Sequence, residues 1–140
     1  MNRKFYLETL QPADRLVIPK NGLRLVQHHA IYLGKDNNGN RVYIENAIGK
    51  GVQIVSETYL FRGGYELTRV ELFTGNQHQR NTAVQFAMQL QGKQYDLLNF
   101  NCEHYANTVQ YRKTYSKQVG VGLNLGLFAL VLGIGLSNYK

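Results

Sequence analysis

A chain of 140 residues has room for one compact domain with a single core and is too short for two ordinary ones. Its one cysteine excludes an internal disulfide and an all-thiolate metal site, so the expected setting is a reducing cytoplasm. The formal charge of +7 favours an anionic partner. Yet the basic residues are scattered (Arg3, Arg24, Arg41, Arg69), with no dense tract or nucleic-acid motif, so a membrane surface is expected and nucleic acid is not.

Residues 5–9 break any apolar run too early for a secretory signal, and the N-terminus is expected to be retained. Arg15 to Ile18 reads as a strand after Pro12-Ala13-Asp14. A turn at Lys20-Asn21-Gly22 leads into a second strand over residues 23–34, rich in branched and aromatic side chains. Asp36-Asn37-Asn38-Gly39-Asn40 has the composition of a hairpin turn, with the next strand over residues 41–46. Gly49-Lys50-Gly51 precedes Val52 to Val55, Ser56 is a candidate cap for a short helical turn, and residues 65–73 alternate as a further strand.

The period then changes. From Asn76, Ala83, Phe86, Ala87 and Leu90 recur at helical spacing up to Gly92. A second helix is expected from Asn101, with Cys102, Tyr105, Ala106 and Val109 on one stripe and Glu103, Asn107 and Gln110 on the other. Strands followed by helices, without repeats, make an α+β fold in which a mostly antiparallel sheet packs against helices.

Residues 119–136 carry no charge and would span roughly 27 Å as a helix, close to the hydrocarbon thickness of a bilayer. Arg112, Lys113 and Lys117 precede this segment and Lys140 follows it, which would keep the folded domain (1–118) cytoplasmic and leave 137–140 as a short tail. Gly122 and Gly126 form a small-xxx-small pair suited to self-association of such a helix. A buried core helix or a peripheral hairpin is the alternative, since Asn124 and several glycines lower the hydrophobicity.

Cysteine attacks acyl carbon as the thiolate, which needs a lowered pKa, a base within reach and donors for the developing oxyanion. The start of a helix helps with the first and third, and the Cys102 N–H is the first candidate donor. The plain alternative is a buried cysteine acting as a small hydrophobe. Among the histidines, His104 lies about 200° around the helix from Cys102, and His78 sits among polar residues at a helix start. His28 and His29 are adjacent in one strand and must point to opposite faces; periodicity leaves both open, because each face carries apolar residues. A zinc site from His28, His29, Cys102 and His104 matches no standard ligand spacing, so no metal or other cofactor is expected.

Two blocks carry more than periodicity does. His28-His29-Ala30-Ile31-Tyr32-Leu33-Gly34 and Asn101-Cys102-Glu103-His104-Tyr105-Ala106-Asn107 resemble, in combination, the signature blocks of the lecithin retinol acyltransferase family, a circularly permuted branch of the NlpC-type papain-like superfamily. Pro12-Ala13-Asp14 resembles the family's Pro-Gly-Asp with alanine for glycine, and residues 51–56 and 95–98 are similar to bacterial members, so the likeness covers roughly residues 9 to 118. The resemblance implies that Cys102 is the nucleophile and His28 the base, with His29 in a place the family gives to an aromatic residue. Where vertebrate members carry a second histidine, this chain offers Glu45 or Asn46, and Glu45 is preferred as the residue orienting the imidazole. Asn101, Glu103 and His104 are expected to brace the helix start.

The expected activity is a thiol-dependent acyl transfer or hydrolysis on lipid-like esters or amides at a membrane. The rivals are a papain-like peptidase or amidase on short peptides, and a noncatalytic membrane- or RNA-associated interaction module.

Overall fold

The computed structural model describes residues 3–20, 26–112 and 118–119. Turn and cap chemistry sets most element boundaries. After a short helix α1 (Arg3–Thr9), strand β1 (Arg15–Pro19) is followed by β2 (Gln27–Lys35) and β3 (Arg41–Ala47). Between β2 and β3 the Asp36 carboxylate accepts the N–H groups of Asn38 and Asn40, both at 2.9 Å, and Gly39 takes φ 81°. Strand β4 (Gly51–Ser56) runs into helix α2 (Glu57–Leu60), whose cap is Ser56, its hydroxyl accepting from Tyr59 N at 3.2 Å. After β5 (Arg69–Glu71), helix α3 (Gln77–Gln89) starts with a capping box between Asn76 and Gln79, and helix α4 (Cys102–Tyr111) with one between Asn101 and His104.

The five strands form one sheet in the order β4-β3-β2-β1-β5, every neighbouring pair antiparallel. The fold is α+β, as the sequence implies. Alternation along the strands gives the sheet two apolar faces. Ile31 and Ile44 pack with Ala83 and Ala87 of α3 and Tyr105, Ala106 and Val109 of α4. Leu16, Ala30, Tyr32, Tyr43 and Val55 pack on the other face with Leu7 of α1 and Leu60 of α2. Burying an apolar face on each side at roughly 25 cal/mol per Å² is what holds so short a chain together.

Gly51 shows how the segment leading to α4 is docked. At φ 74° it lies so close to the segment after α3 that a Cβ would stand 2.4 Å from the Lys93 carbonyl oxygen. The two segments exchange backbone hydrogen bonds there, Val52 N to Lys93 O and Gly92 N to Val52 O, both 2.9 Å. Glycine is required for that approach.

Several sequence expectations change. Residues 5–9 were legible only as a break in an apolar run, yet they belong to α1, which buries Leu7 alone. The strand expected over residues 65–73 contracts to Arg69–Glu71, because β1 offers it pairing partners only from Arg15 to Val17. The strand expected from residue 23 is observed from Gln27, and residues 21–25 lie outside the described part. The polar stripe of α4 is buried, with Glu103 6 %, Asn107 2 % and Gln110 9 % exposed, since Asn107 accepts from Arg15, Gln110 donates to the carbonyls of Ala13 and Glu71, and Glu103 accepts from Gln118 N. Asn46 is a fully buried position of β3.

The charge-free segment 119–136 lies outside the described residues except for Val119, as do Gly122 and Gly126. Among the described residues, no helix is long and apolar enough to cross a membrane.

Candidate active site

Strand β2 sends His28 and His29 to opposite sides. His28 shares its side with Ala30 and Tyr32, while His29 points towards α4. A rule that chose the histidine facing the helix would therefore select His29, and the structure gives that residue a different set of partners. Its Nδ1 accepts from Arg15 Nε at 2.9 Å and Nη2 at 2.6 Å, while Arg15 Nη1 donates to Asn107 Oδ1 of α4 at 2.6 Å. Arg15 is buried, its own pKa lowered mainly by that burial and sustained by Glu71 and Glu103. Burial and the neighbouring Arg15 charge hold His29 well below its ordinary range, so it is a neutral acceptor.

Cys102 is the first residue of α4. The Asn101 carboxamide oxygen accepts from Glu103 N and His104 N at 3.0 Å each, and His104 Nδ1 accepts from Asn101 N at 3.1 Å. That arrangement fixes the helix start and leaves the Cys102 amide N–H outside any hydrogen bond among the described residues. The thiol is 3 % exposed and reaches the backbone at the start of β2, where Sγ is 3.7 Å from the Gln27 carbonyl oxygen and the neighbouring His29 N–H favours the thiolate. The His28 imidazole favours the thiolate as well, through a side-chain hydrogen bond.

His28 Nε2 lies 2.9 Å from Glu45 Oε1, which leaves Nδ1 for the thiol. Glu45 stands opposite Ala30 in the β2–β3 register and is completely buried, with Gln53 Nε2 donating to its second oxygen at 3.0 Å. Burial opposes charge on all three groups, and in each case the neighbours outweigh it. The Glu45 charge and the Cys102 hydrogen bond carry the His28 pKa above its ordinary value. The His28 imidazole holds Glu45 below the usual carboxylate range. The His28 hydrogen bond, the Lys20 charge and the His29 N–H bring the Cys102 thiol below its ordinary 9.0.

A thiol, an imidazole and a carboxylate in series form the arrangement of a nucleophile, its base and the group that orients the base. The hydrogen-bonded chain can carry a proton from sulfur to His28 while Glu45 stabilises the imidazolium. Around it lie two pockets. One of about 70 Å³ beside His28 has walls of Ile18, Leu60, Phe61 and Tyr65 with Lys20 and Arg62 among its lining residues; a smaller one opens on Cys102 between Val26, Leu97 and Gln118. Lys20 lines both.

A family model described as lecithin retinol acyltransferase matches residues 8–115. The chain belongs to the lecithin retinol acyltransferase family. Members of this family are cysteine-dependent acyltransferases or hydrolases. No curated protein matches this sequence. The matched span contains α4 with Cys102 and all five strands, hence every side chain of the hydrogen-bonded chain described above.

The remaining residues singled out in the sequence separate into distinct places. Asn46 lies on the opposite side of β3 from Glu45 and does not touch His28; its Nδ2 donates to Phe100 O at 2.7 Å and Asn101 O at 3.2 Å, tying β3 to the segment that leads into α4. Asn101 and His104 make the reciprocal cap, and Glu103 Oε2 accepts from Gln118 N at 3.1 Å. His78 is exposed on α3. Among the described residues no three of His, Cys, Asp and Glu group as a metal site.

Sequence reasoning passed over Lys20, Gln53 and Gln118. Lys20 had a signal, a cation directly after the apolar run Leu16 to Pro19. Gln53 was within reach too, because Gly49-Lys50-Gly51 sets a hairpin that places it across from Glu45. Gln118 had none: it brackets Gln27, accepting from its N–H at 2.8 Å and donating to its carbonyl at 3.1 Å, across 91 positions of chain.

Proposed function

We propose that the protein is a membrane-associated thiol acyltransferase or hydrolase acting on lipid-like esters or amides. The observation that carries this reading is the series Cys102, His28, Glu45: the thiol at the start of α4 lies against the backbone next to His28, whose Nε2 is 2.9 Å from the buried Glu45 carboxylate. His28 takes the Cys102 proton, and the thiolate attacks the acyl carbonyl carbon. The resulting oxyanion is held by donors at the start of α4, the free Cys102 N–H first among them. As the tetrahedral species collapses, the carbon–oxygen or carbon–nitrogen bond breaks, the leaving group takes the proton from His28, and an acyl thioester remains on Cys102. Water or an acceptor hydroxyl or amine, deprotonated by His28, then attacks the thioester and the sulfur departs to be reprotonated.

The apolar walls beside His28 suit an acyl chain, and Lys20 and Arg62 suit the negative charge of a lipid headgroup. Residues 119–136 would hold the domain on the cytoplasmic face of a membrane, next to substrates that lie in the bilayer, with Gly122 and Gly126 available for pairing of two such segments.

The test incubates the full chain and Cys102→Ser with radiolabelled phosphatidylcholine and with a peptide panel, trapping the thioester. Acyl transfer or release from the lipid, absent in Cys102→Ser, is expected. Turnover of peptides alone would favour the amidase reading, and activity that survives Cys102→Ser would overturn the mechanism. No turnover and no thioester on any substrate would favour a noncatalytic interaction module. Deleting residues 119–140 is expected to move the protein from the membrane pellet to the supernatant; continued sedimentation with membranes would remove the anchor from this reading.

A further inference from the structure

A carboxylate has two oxygens, and His28 occupies only one of those on Glu45. The other faces β4. In the β3–β4 register Gln53 stands directly opposite Glu45, and its Nε2 donates to Oε2 at 3.0 Å. We infer that Gln53 is a positioning residue of the active site, holding Glu45 ionised and aimed at His28. The inference rests on the proposed role of Glu45 as the orienting group.

Three observations support it. Glu45 is 0 % exposed, so water cannot take the place of a protein donor without entering the core, and a buried carboxylate whose second oxygen lacks a donor tends to become protonated. Protonated Glu45 would present no negative charge to the imidazolium that forms when Cys102 loses its proton. With donors on both oxygens, the carboxylate is also prevented from rotating away from Nε2 of His28. A carboxamide suits this task because it does not titrate and cannot exchange roles with the acid it supports. The Gln53 amide is itself located from its outer side: Nε2 lies 3.5 Å from the Tyr59 hydroxyl, and the Tyr59 ring carries the Arg62 guanidinium 4.0 Å from its centroid.

Gln53 lines neither pocket that borders His28 and Cys102, so its removal should alter reactivity of the thiol without altering substrate binding. Because Cys102 is the only cysteine, its alkylation by iodoacetamide reports on the thiolate without any assumption about the natural substrate. The rate is measured against pH for the full chain as wild type, Gln53→Met, Gln53→Glu and Glu45→Gln, with melting temperatures taken alongside. Methionine keeps the size of glutamine and removes the donor. Its acid limb is expected to move upward by about one pH unit, the shift that loss of one hydrogen bond to a charged group corresponds to. In Gln53→Glu the rate relative to wild type should rise as the pH falls, since one proton shared by the facing carboxyl groups restores a donor to Glu45.

A Gln53→Met profile that overlays wild type would overturn the inference, and so would a lowered melting temperature with the profile unmoved, the signature of packing alone. A wild-type midpoint that is not below 9.0 and that Glu45→Gln leaves unchanged would instead remove the thiol-imidazole-carboxylate reading. The two failures are thereby distinguishable.

Discussion

Arg15 Nε lies 2.9 Å from His29 Nδ1, so the histidine beside the candidate base serves as an acceptor for a buried cation. Adjacent histidines thus have unlike duties, and substitution should separate them. His28→Ala is expected to lower kcat on the order of 10³-fold, and to lower the melting temperature as well, because the buried Glu45 carboxylate loses its partner. His29→Ala is expected to destabilise the fold by about 1–3 kcal/mol through the orphaned guanidinium, with turnover retained in the molecules that remain folded. Thermal melts and active-site-normalised kcat check both, and loss of turnover in His29→Ala but not in His28→Ala would make His29 the base and overturn this assignment.

His29 also makes stability sensitive to acid. Its folded pKa lies well below its unfolded value of about 6.5, so the unfolded chain binds more protons between those two limits, and the stability from neutral His29 is present above 6.5 and lost as the pH falls. His28 has the opposite sign, its contribution being lost as the pH rises through its raised folded value. His29→Gln, which keeps an acceptor for Arg15 and does not titrate, should flatten the fall in melting temperature between pH 7 and pH 5. An unchanged slope would sink this assignment.

Lys20 is 6 % exposed and its pKa is lowered by that burial, with Cys102 the first of the charges that oppose the shift. Replacement by methionine keeps the length of the stem and removes the charge. The Cys102 alkylation midpoint should then rise, with the rate at pH 7 falling by roughly threefold to tenfold. A midpoint at the wild-type value would show that the ammonium does not act on the thiolate.

Glu45→Gln should lower kcat by roughly 10² to 10⁴, as loss of the orienting carboxylate does in comparable triads. Asn46→Ala should instead act on stability, by about 1–3 kcal/mol, because Phe100 O and Asn101 O lose a buried donor. Comparing kcat and melting temperature in the two variants tests whether neighbours on one strand divide catalytic and structural work in this way.

Much of the scaffold was legible because it depends on local chemistry. The turn at residues 36–40, the Ser56 and Asn76 caps and the start of α4 at Cys102 follow from residues within a few positions of one another. The site was only partly legible. Strand alternation separates His28 from His29 but cannot reveal which one the sulfur reaches, since Cys102 meets the start of β2 at its backbone, close to both. It was the paired sequence blocks, not periodicity, that favoured His28. Glu103, Asn107 and Gln110 read as a polar helix face because their partners, including Gln118, Arg15 and the carbonyls of Ala13 and Glu71, are remote in sequence. Ala13 shows the same limit on a smaller scale: it occupies a position of φ 79°, which explains why the related motif carries glycine there.

The Arg15–Asn107 hydrogen bond joins positions 92 apart, and this has a bearing on how the protein is made. A ribosome that has released β1 to β4 has delivered a guanidinium destined for the interior with His29 of β2 at hand, while Asn107, the acceptor for its Nη1, is still unsynthesised. Arg15 therefore disfavours closure of that side of the sheet on a partial chain. Docking of α4 satisfies Arg15 and brings Cys102 to the start of β2 in the same event. The contact that completes the Arg15 set and the one that seats the sulfur at β2 therefore form together, and a chain ending before residue 101 has neither.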